Sequence, residues 1–481
     1  MKNCFSAILL LVVSACPLFA AAAVEPFALD IAGIYKIGDL DPNLTGKGVN
    51  IGLVCRSDTY TGQTPRNDYR PDISHNCFKD LKIKFHDSDP SNAGVSAHST
   101  AIASILTGMY SDANLPGIGR FDYEGACPDA KLNVYEFRQF LSECIFAGNW
   151  PGDDLFTMSL GWSVEDWWSR GIDRMAEEFG LLVIASIGNG TDAHDLPLYP
   201  AAGANVLAVG VADSNSSLKD FNSPVPNRST AGPTLDGRCK PDIIAPGNCL
   251  VAVAGKKNDF AATGDYSSFA APVVASVAAL LIQKANTQPE LTFAVSPVFG
   301  NCVMKSILMT AAKKLPGWHK GFDLPNDDSE YPLDLRQGAG MLDGLSAYNL
   351  LLAGMQTDGN VPPSGWSFDI IEPNYTAERV YQFKTEKPVI TATLIWNRPY
   401  SRDYPFEPLW QNLADFQLEL WKLDQQGGQT LIDFSDSPVD NVEHLYLKVE
   451  PNTKYKLIVS HSLNSALPQT FTPYAISWQT K

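Results

Sequence analysis

This sequence predicts an α/β fold with a doubly wound, mainly parallel sheet, followed by an all-β sandwich. Three observations lead there. Between about residues 48 and 350, short apolar runs alternate with longer stretches of helical period, as when parallel strands are joined by crossover helices. Two of the runs, "GLLVIASI" (180–187) and "NVLAVGVA" (205–212), are almost wholly apolar, as strands covered on both faces are. After about residue 355 the helical periods stop and alternating runs between turn residues take over, a pattern of antiparallel sandwich strands.

The elements follow in order. "MKNCFSAILLLVVSACPLFAAAAVEP" has one early lysine, an apolar run and then small residues, which reads as a secretory leader. Ala20 to Ala23 offer a cleavage site before Val24, giving a leader over 1–23 and a secreted or periplasmic protein. "VSAC" resembles a bacterial lipobox, and that alternative leaves a lipoprotein anchored through Cys16. No later segment is expected to supply the ~20 apolar residues that span a bilayer. Strands are expected at "VNIGLV" (49–54), "LKIKF" (81–85), "KLNVYEF" (131–137), "LFTMSLG" (155–161) and the two buried runs, with a helix over "DWWSRGIDRMAEEFG". The α/β domain is assigned to 24–355. The linker-like "DGNVPPSGW" leads into a sandwich over 356–481, with strands at 389–397, 415–423, 444–450, 454–461 and 474–480.

At 481 residues, two domains are expected, and 45% hydrophobic against 19% charged residues provides for a sizeable core. A net charge of -17 excludes nucleic acid and anionic membranes as partners, because both select clustered Lys and Arg. A monomer is expected, touching a membrane only if Cys16 is lipidated. Nine cysteines in an exported chain predict disulfides. Cys239 with Cys249 and Cys127 with Cys144 are candidate pairs, and the spacing leaves the connectivity open.

Three stretches hold the candidate chemistry. "GDYSSFAAPVVASVAALLIQKA" (264–285) places Ser268 at the mouth of a long apolar helix. Its dipole would favour an oxyanion forming nearby, although a serine there is ordinarily an N-cap. Pro272 reads as a first-turn proline. "AHSTAIASILTG" (97–108) puts His98 at the start of a helix whose Ala101, Ile102, Ile105 and Leu106 form an apolar face. "VIASIGNGTDAH" (183–194) exposes Asn189 beyond a buried strand, where Asn-Gly would otherwise be an ordinary turn.

Together and in this order, these stretches resemble the subtilisin-like serine proteases. "AHSTAIASILTG" resembles that family's His-Gly-Thr-His-Val-Ala-Gly helix, "SIGNG" its Gly-Asn-Glu segment, and "SSFAAP" its Gly-Thr-Ser-Met-Ala-Ser/Ala-Pro run. "RCKPDIIAPG" (238–247), "VMKSILMTAAKKL" and "QGAGMLDGLSA" are similar to family segments on either side of the nucleophile. The likeness spans about residues 45–350 and implies a serine endopeptidase acting on peptides or proteins. Ser268 would be the nucleophile, His98 the base and Asn189 the oxyanion donor, with Ser159, Leu160 and Gly161 of "LFTMSLGW" along an extended substrate. The C-terminal strands resemble the sandwich of some larger secreted subtilases, in which an Asn-Asp-Leu-Asp-Leu stretch can bind calcium. Here it reads Ala414-Asp415-Phe416-Gln417-Leu418, one acid short; no cofactor is assigned, and a structural calcium is the one candidate.

One departure stands out. The family's catalytic Asp follows the first strand, and the matching position here is Cys55. A thiol orients and stabilises an imidazolium poorly. Asp58, within ~10 Å of extended chain, is the candidate displaced acid. In an exported chain the alternative use of Cys55 is a disulfide to Cys77 or another thiol. The alternative is a catalytically dead relative that binds peptides or proteins in the old groove.

Overall fold

The computed structural model describes residues 27–481 apart from 58–66, 116, 118, 149–151, 191–194, 216, 218, 226 and 323–329. The leader, Cys16 and Asp58 therefore lie outside the described residues. Seven strands form one all-parallel sheet: β1 (Asn50–Cys55), β2 (Ile83–His86), β3 (Lys131–Glu136), β4 (Leu155–Met158), β5 (Leu182–Ser186), β6 (Leu207–Ala212) and β7 (Ile243–Pro246). Their order is β7-β6-β5-β4-β1-β3-β2. All the expected α/β strand runs are strands, with Ser159 to Gly161 left as loop beyond β4; β7 emerges inside "RCKPDIIAPG". Ile51, Leu53 and Cys55 face one core and Val54 the other, so β1 is covered on both sides. After β3 the chain crosses to the opposite side of β1. The crevice that such a reversal opens lies beyond the carboxyl ends of β1 and β4.

Helices α1 (Ala97–Thr107), α2 (Trp167–Phe179), α3 (Ser267–Thr287) and α4 (Gly300–Ala311) flank the sheet. Ser96 caps α1 by accepting from Ser99 N at 3.1 Å. Asp166 and Ser169 form a capping box on α2, which ends at Gly180 with φ 57. A side chain there would be strained and would also meet the Pro297 backbone. Contrary to the sequence expectation, α3 is long and apolar enough to cross a membrane. However, 83% of its most apolar window is buried inside the protein. That is how the central helix of a two-layer core behaves.

The C-terminal strands β8 (Gly365–Ile371), β9 (Glu378–Thr385), β10 (Val389–Trp396), β11 (Phe416–Leu423), β12 (Gln429–Ser435), β13 (Val442–Lys448), β14 (Thr453–His461) and β15 (Thr472–Thr480) form two sheets. One runs β8-β15-β10-β13; the other joins Gly359–Asn360 to β9-β14-β11-β12. The first covers α4, all of whose residues are buried. Thr310 in α4 bonds Thr393 Oγ1 at 2.7 Å, and its carbonyl accepts from Gln479 Nε2 at 2.7 Å. Trp366 of the sandwich belongs to the core of the α/β part.

The expected disulfides are not formed. All seven described cysteines are buried and none is in a disulfide, including Cys55 and Cys77. Cys127 and Cys144 belong to different cores on opposite faces of the sheet. Cys239 and Cys249 sit beyond opposite ends of β7, further apart than the ~5.5 Å between α-carbons that a disulfide requires. The Cys127 and Cys239 thiols instead donate to the Ser276 and Leu333 carbonyls at 3.6 and 3.7 Å.

A buried ion cluster locks β7 in place. Asp242 accepts from Lys240 Nζ at 2.7 Å and lies 3.3 Å from Lys305 Nζ in α4; it also receives Ala208 N at 2.6 Å. Burial would raise its carboxyl, but the two ammonium groups outweigh that and hold it low. Asp242→Asn keeps the shape and removes the counter-charge of Lys305 and of Lys240, whose pKa burial already lowers to about 7 despite Asp242. It should lower unfolding free energy by about 3–5 kcal/mol in a denaturant titration. A loss under ~1 kcal/mol would mean the cluster is not carrying charge.

Candidate active site

Cys55, Ser159 and Asn189 follow or end β1, β4 and β5, which are neighbours in the sheet. The N-terminus of α3 is tied to this edge by two side chains. Asn189 Oδ1 accepts from Ser267 N at 2.7 Å and from Ser267 Oγ at 2.9 Å. Ser267 Oγ in turn accepts from Gly188 N at 3.2 Å. Because a backbone N–H can only donate, the carboxamide orientation is fixed. The N–H pair of Asn189 makes no protein hydrogen bond among the described residues and is what this side chain has left to offer a substrate oxygen. Gly188 holds φ 115, and an added Cβ would come within 2.8 Å of Thr230 Oγ1, so the turn requires glycine.

The second tie comes from Ser159, whose Oγ donates to the Ser268 carbonyl at 2.6 Å. This bond corrects the reading of Pro272. Helix α3 begins at Ser267, with Tyr266 in the N-cap position, so Pro272 lies beyond the first turn. Its missing N–H would have bonded the Ser268 carbonyl four residues earlier, and Ser159 supplies that donor instead. The N-cap reading of Ser268 falls as well: Ser268 is the second helical residue, half-buried at the crevice.

His98 occupies the first turn of α1, which packs against α3. Its ring centre lies 5.7 Å from that of Phe269, the residue after Ser268. The fold thus brings His98, Asn189 and Ser268 to one rim. Cys55 ends β1 nearly fully buried and pairs in register with Glu136 of β3. Glu136 is buried too, and its carboxylate accepts from Gln139 N at 3.1 Å.

Sequence reasoning missed two residues here. Ser267 looks like filler beside Ser268, yet it orients Asn189. Leu198 packs between the two strand ends: a Cβ on Gly161 would meet Leu198 Cβ at 2.8 Å, and one on Gly188 would meet Leu198 Cγ at 3.1 Å. Neither role has a local signal, since both are made by contacts across the fold. In the sandwich stretch, Asp415 Oδ1 is buried with no hydrogen-bond partner among the described residues, and the other polar groups are engaged within the protein. Asp415 takes the Ser465 hydroxyl, and Gln417 Nε2 donates to Ser460 Oγ at 2.9 Å. Among the described residues, no group of three or more His, Cys, Asp or Glu side chains could hold a metal ion.

The profile of the Subtilase family matches residues 35–340. The chain is a subtilase. This subtilase is 26% identical over 280 residues to serine protease AprX of Bacillus subtilis (strain 168), across 52% of this chain and 59% of that protein. It therefore spans less than two thirds of that relative. Among solved structures, the patellamide maturation protease PatG is similar with a TM-score of 0.47 and 16% identity, over 69% of this chain and 99% of that one. A serine protease of Aeromonas sobria is similar with a TM-score of 0.43 and 14% identity, over 90% and 88%.

Proposed function

We propose that this subtilase is an exported serine endopeptidase. Ser268 Oγ attacks the scissile carbonyl while the His98 imidazole takes its proton. The tetrahedral oxyanion is held by the Asn189 amide and the Ser268 N–H. His98 then returns the proton to the leaving amine, and water releases the acyl group by the same route. Ser159 to Gly161 line the extended peptide. The observation that carries this reading is the pair of hydrogen bonds from Ser267 N and Oγ to Asn189 Oδ1, because it leaves a preorganised N–H donor beside the candidate nucleophile. Such donors contribute through charge developing in the transition state rather than through ground-state binding.

A fluorophosphonate probe tests the proposal. The wild-type chain should be labelled, Ser268→Ala should not be, and Asn189→Ala should label roughly 10²-fold more slowly. Cys55 favours a second reading, a peptide-binding relative that has lost turnover. Unlabelled but folded wild-type protein that still binds peptides would replace the first reading with the second.

A further inference from the structure

The crevice beside the oxyanion donor is partly filled by the protein itself. Leu198 N donates to the Ile187 carbonyl at 2.9 Å, and Trp162 N donates to the Tyr199 carbonyl at 3.0 Å. Leu198 and Tyr199 are thus stitched between the chain leaving β5 and the chain leaving β4. A Cβ on Gly161 would lie 2.8 Å from Leu198 Cβ and 3.2 Å from its Cδ1. One on Gly188 would lie 3.1 Å from Leu198 Cγ and 3.2 Å from the same Cδ1. A single methyl group therefore reaches both walls, and it fits because each wall presents a glycine there.

Both walls are backed. Thr230 N donates to the Gly188 carbonyl at 3.1 Å, and Thr230 Oγ1 would stand 2.8 Å from the Cβ added to Gly188. Gly161 is followed by Trp162, whose ring centre lies 4.9 Å from that of Phe137 and 5.0 Å from that of Trp168. Ile187 and Tyr199 are buried, while Leu198 is half-buried, so this side chain is packed on two flanks and keeps part of its surface open.

We infer, on the basis of the acyl-transfer reading proposed for this rim, that Leu198 limits the residue before the scissile bond to glycine or alanine. In that pose the attacked carbon lies at Ser268 and its oxygen at Asn189, the residue after Gly188. The backbone on the acyl side runs along Ser159 to Gly161. The side chain of the residue that supplies the carbonyl therefore enters between Gly161 and Gly188, where Leu198 stands. A hydrogen or a methyl group fits beside Leu198. A branched chain or an aromatic ring would have to push Leu198 into two backed walls, which is overpacking. In an apolar pocket even one methylene of misfit discriminates by 10-fold or more.

A series of N-acetyl-Ala-Ala-Pro-X p-nitroanilides, with X as Gly, Ala, Leu or Phe, tests this beside fluorophosphonate labelling of the full chain. For the labelled wild type, kcat/KM should be at least about tenfold higher for the better of Gly and Ala than for Leu or Phe. Leu198→Ala should raise the Phe-to-Ala ratio of kcat/KM at least about tenfold. The wild-type ranking stands by itself should that variant not fold. Labelled wild type that cleaves after Phe or Leu as fast as after Ala overturns the inference and leaves acyl transfer intact. So does an unchanged ratio in labelled Leu198→Ala. Folded wild type that takes no label removes acyl transfer, and the size limit falls with it.

Discussion

Ser268→Ala should reduce kcat/KM on a peptide ester or amide by roughly 10⁴-fold or more, with the unfolding midpoint unchanged within error. The stability expectation follows from position. Ser268 is half-buried in the first turn of α3, and what anchors that turn is its carbonyl, held by Ser159, together with the neighbouring Ser267 bonds to Asn189. Alanine keeps the carbonyl and the helix and removes only the hydroxyl. The rate expectation follows from the chemistry, since no other group at the rim replaces a lost nucleophile. A Ser268→Ala protein that retains a tenth or more of the wild-type rate would sink the acyl-transfer mechanism.

Cys55→Asp should raise kcat/KM, by at least about tenfold and up to ~10⁴-fold, the usual weight of the triad acid. Cys55 sits at the carboxyl end of β1, on the face shared with α1 and α3. A carboxylate there would orient the imidazole and stabilise its protonated form, which a thiol does poorly. The substitution buries a new charge, so it succeeds only if His98 pairs with it; otherwise the variant loses stability without gaining rate. Steady-state kinetics beside a denaturant titration separate these results. An unchanged or lower rate in a well-folded Cys55→Asp variant means the acid role is already filled. In that case, collapse of activity in Asp58→Asn would assign it to Asp58.

The sandwich marks where pattern reading stopped. Strands β10, β11, β14 and β15, which lie inside their sheets, and the edge strand β13 announce themselves through apolar runs and alternation. Strands β8, β9 and β12 went unread. In β9, Tyr381 and Phe383 face the core, but Val380 on the opposite face blurs the period. Strand β12 lies at a sheet edge with most of its residues exposed, so no buried face constrains its composition.

The site divides in a similar way. His98, Asn189 and Ser268 were legible because each sits at a fixed offset from a helix start or a buried strand end, and both of those have local signatures. Ser267 was not, because its meaning lies in a carboxamide 78 residues earlier. The cysteines misled because pairing depends on distance through space: the sheet itself separates Cys127 from Cys144.

The sequence by itself determined the strands and helices of the α/β part, the sandwich strands with a clear buried face, and the order of the chemical groups along the chain. Periodicity and capping are short-range properties that a linear reading captures. Tertiary structure alone decided that Ser159 replaces the hydrogen bond Pro272 cannot make, that Ser267 turns Asn189 outward, and that Arg238 and Arg398 meet over Asp236. Each of these rests on a hydrogen bond between residues far apart in the chain, in the last case Arg398 with Asp236, fixed only once sheet order and helix docking have set which side chains lie within about 3 Å of one another.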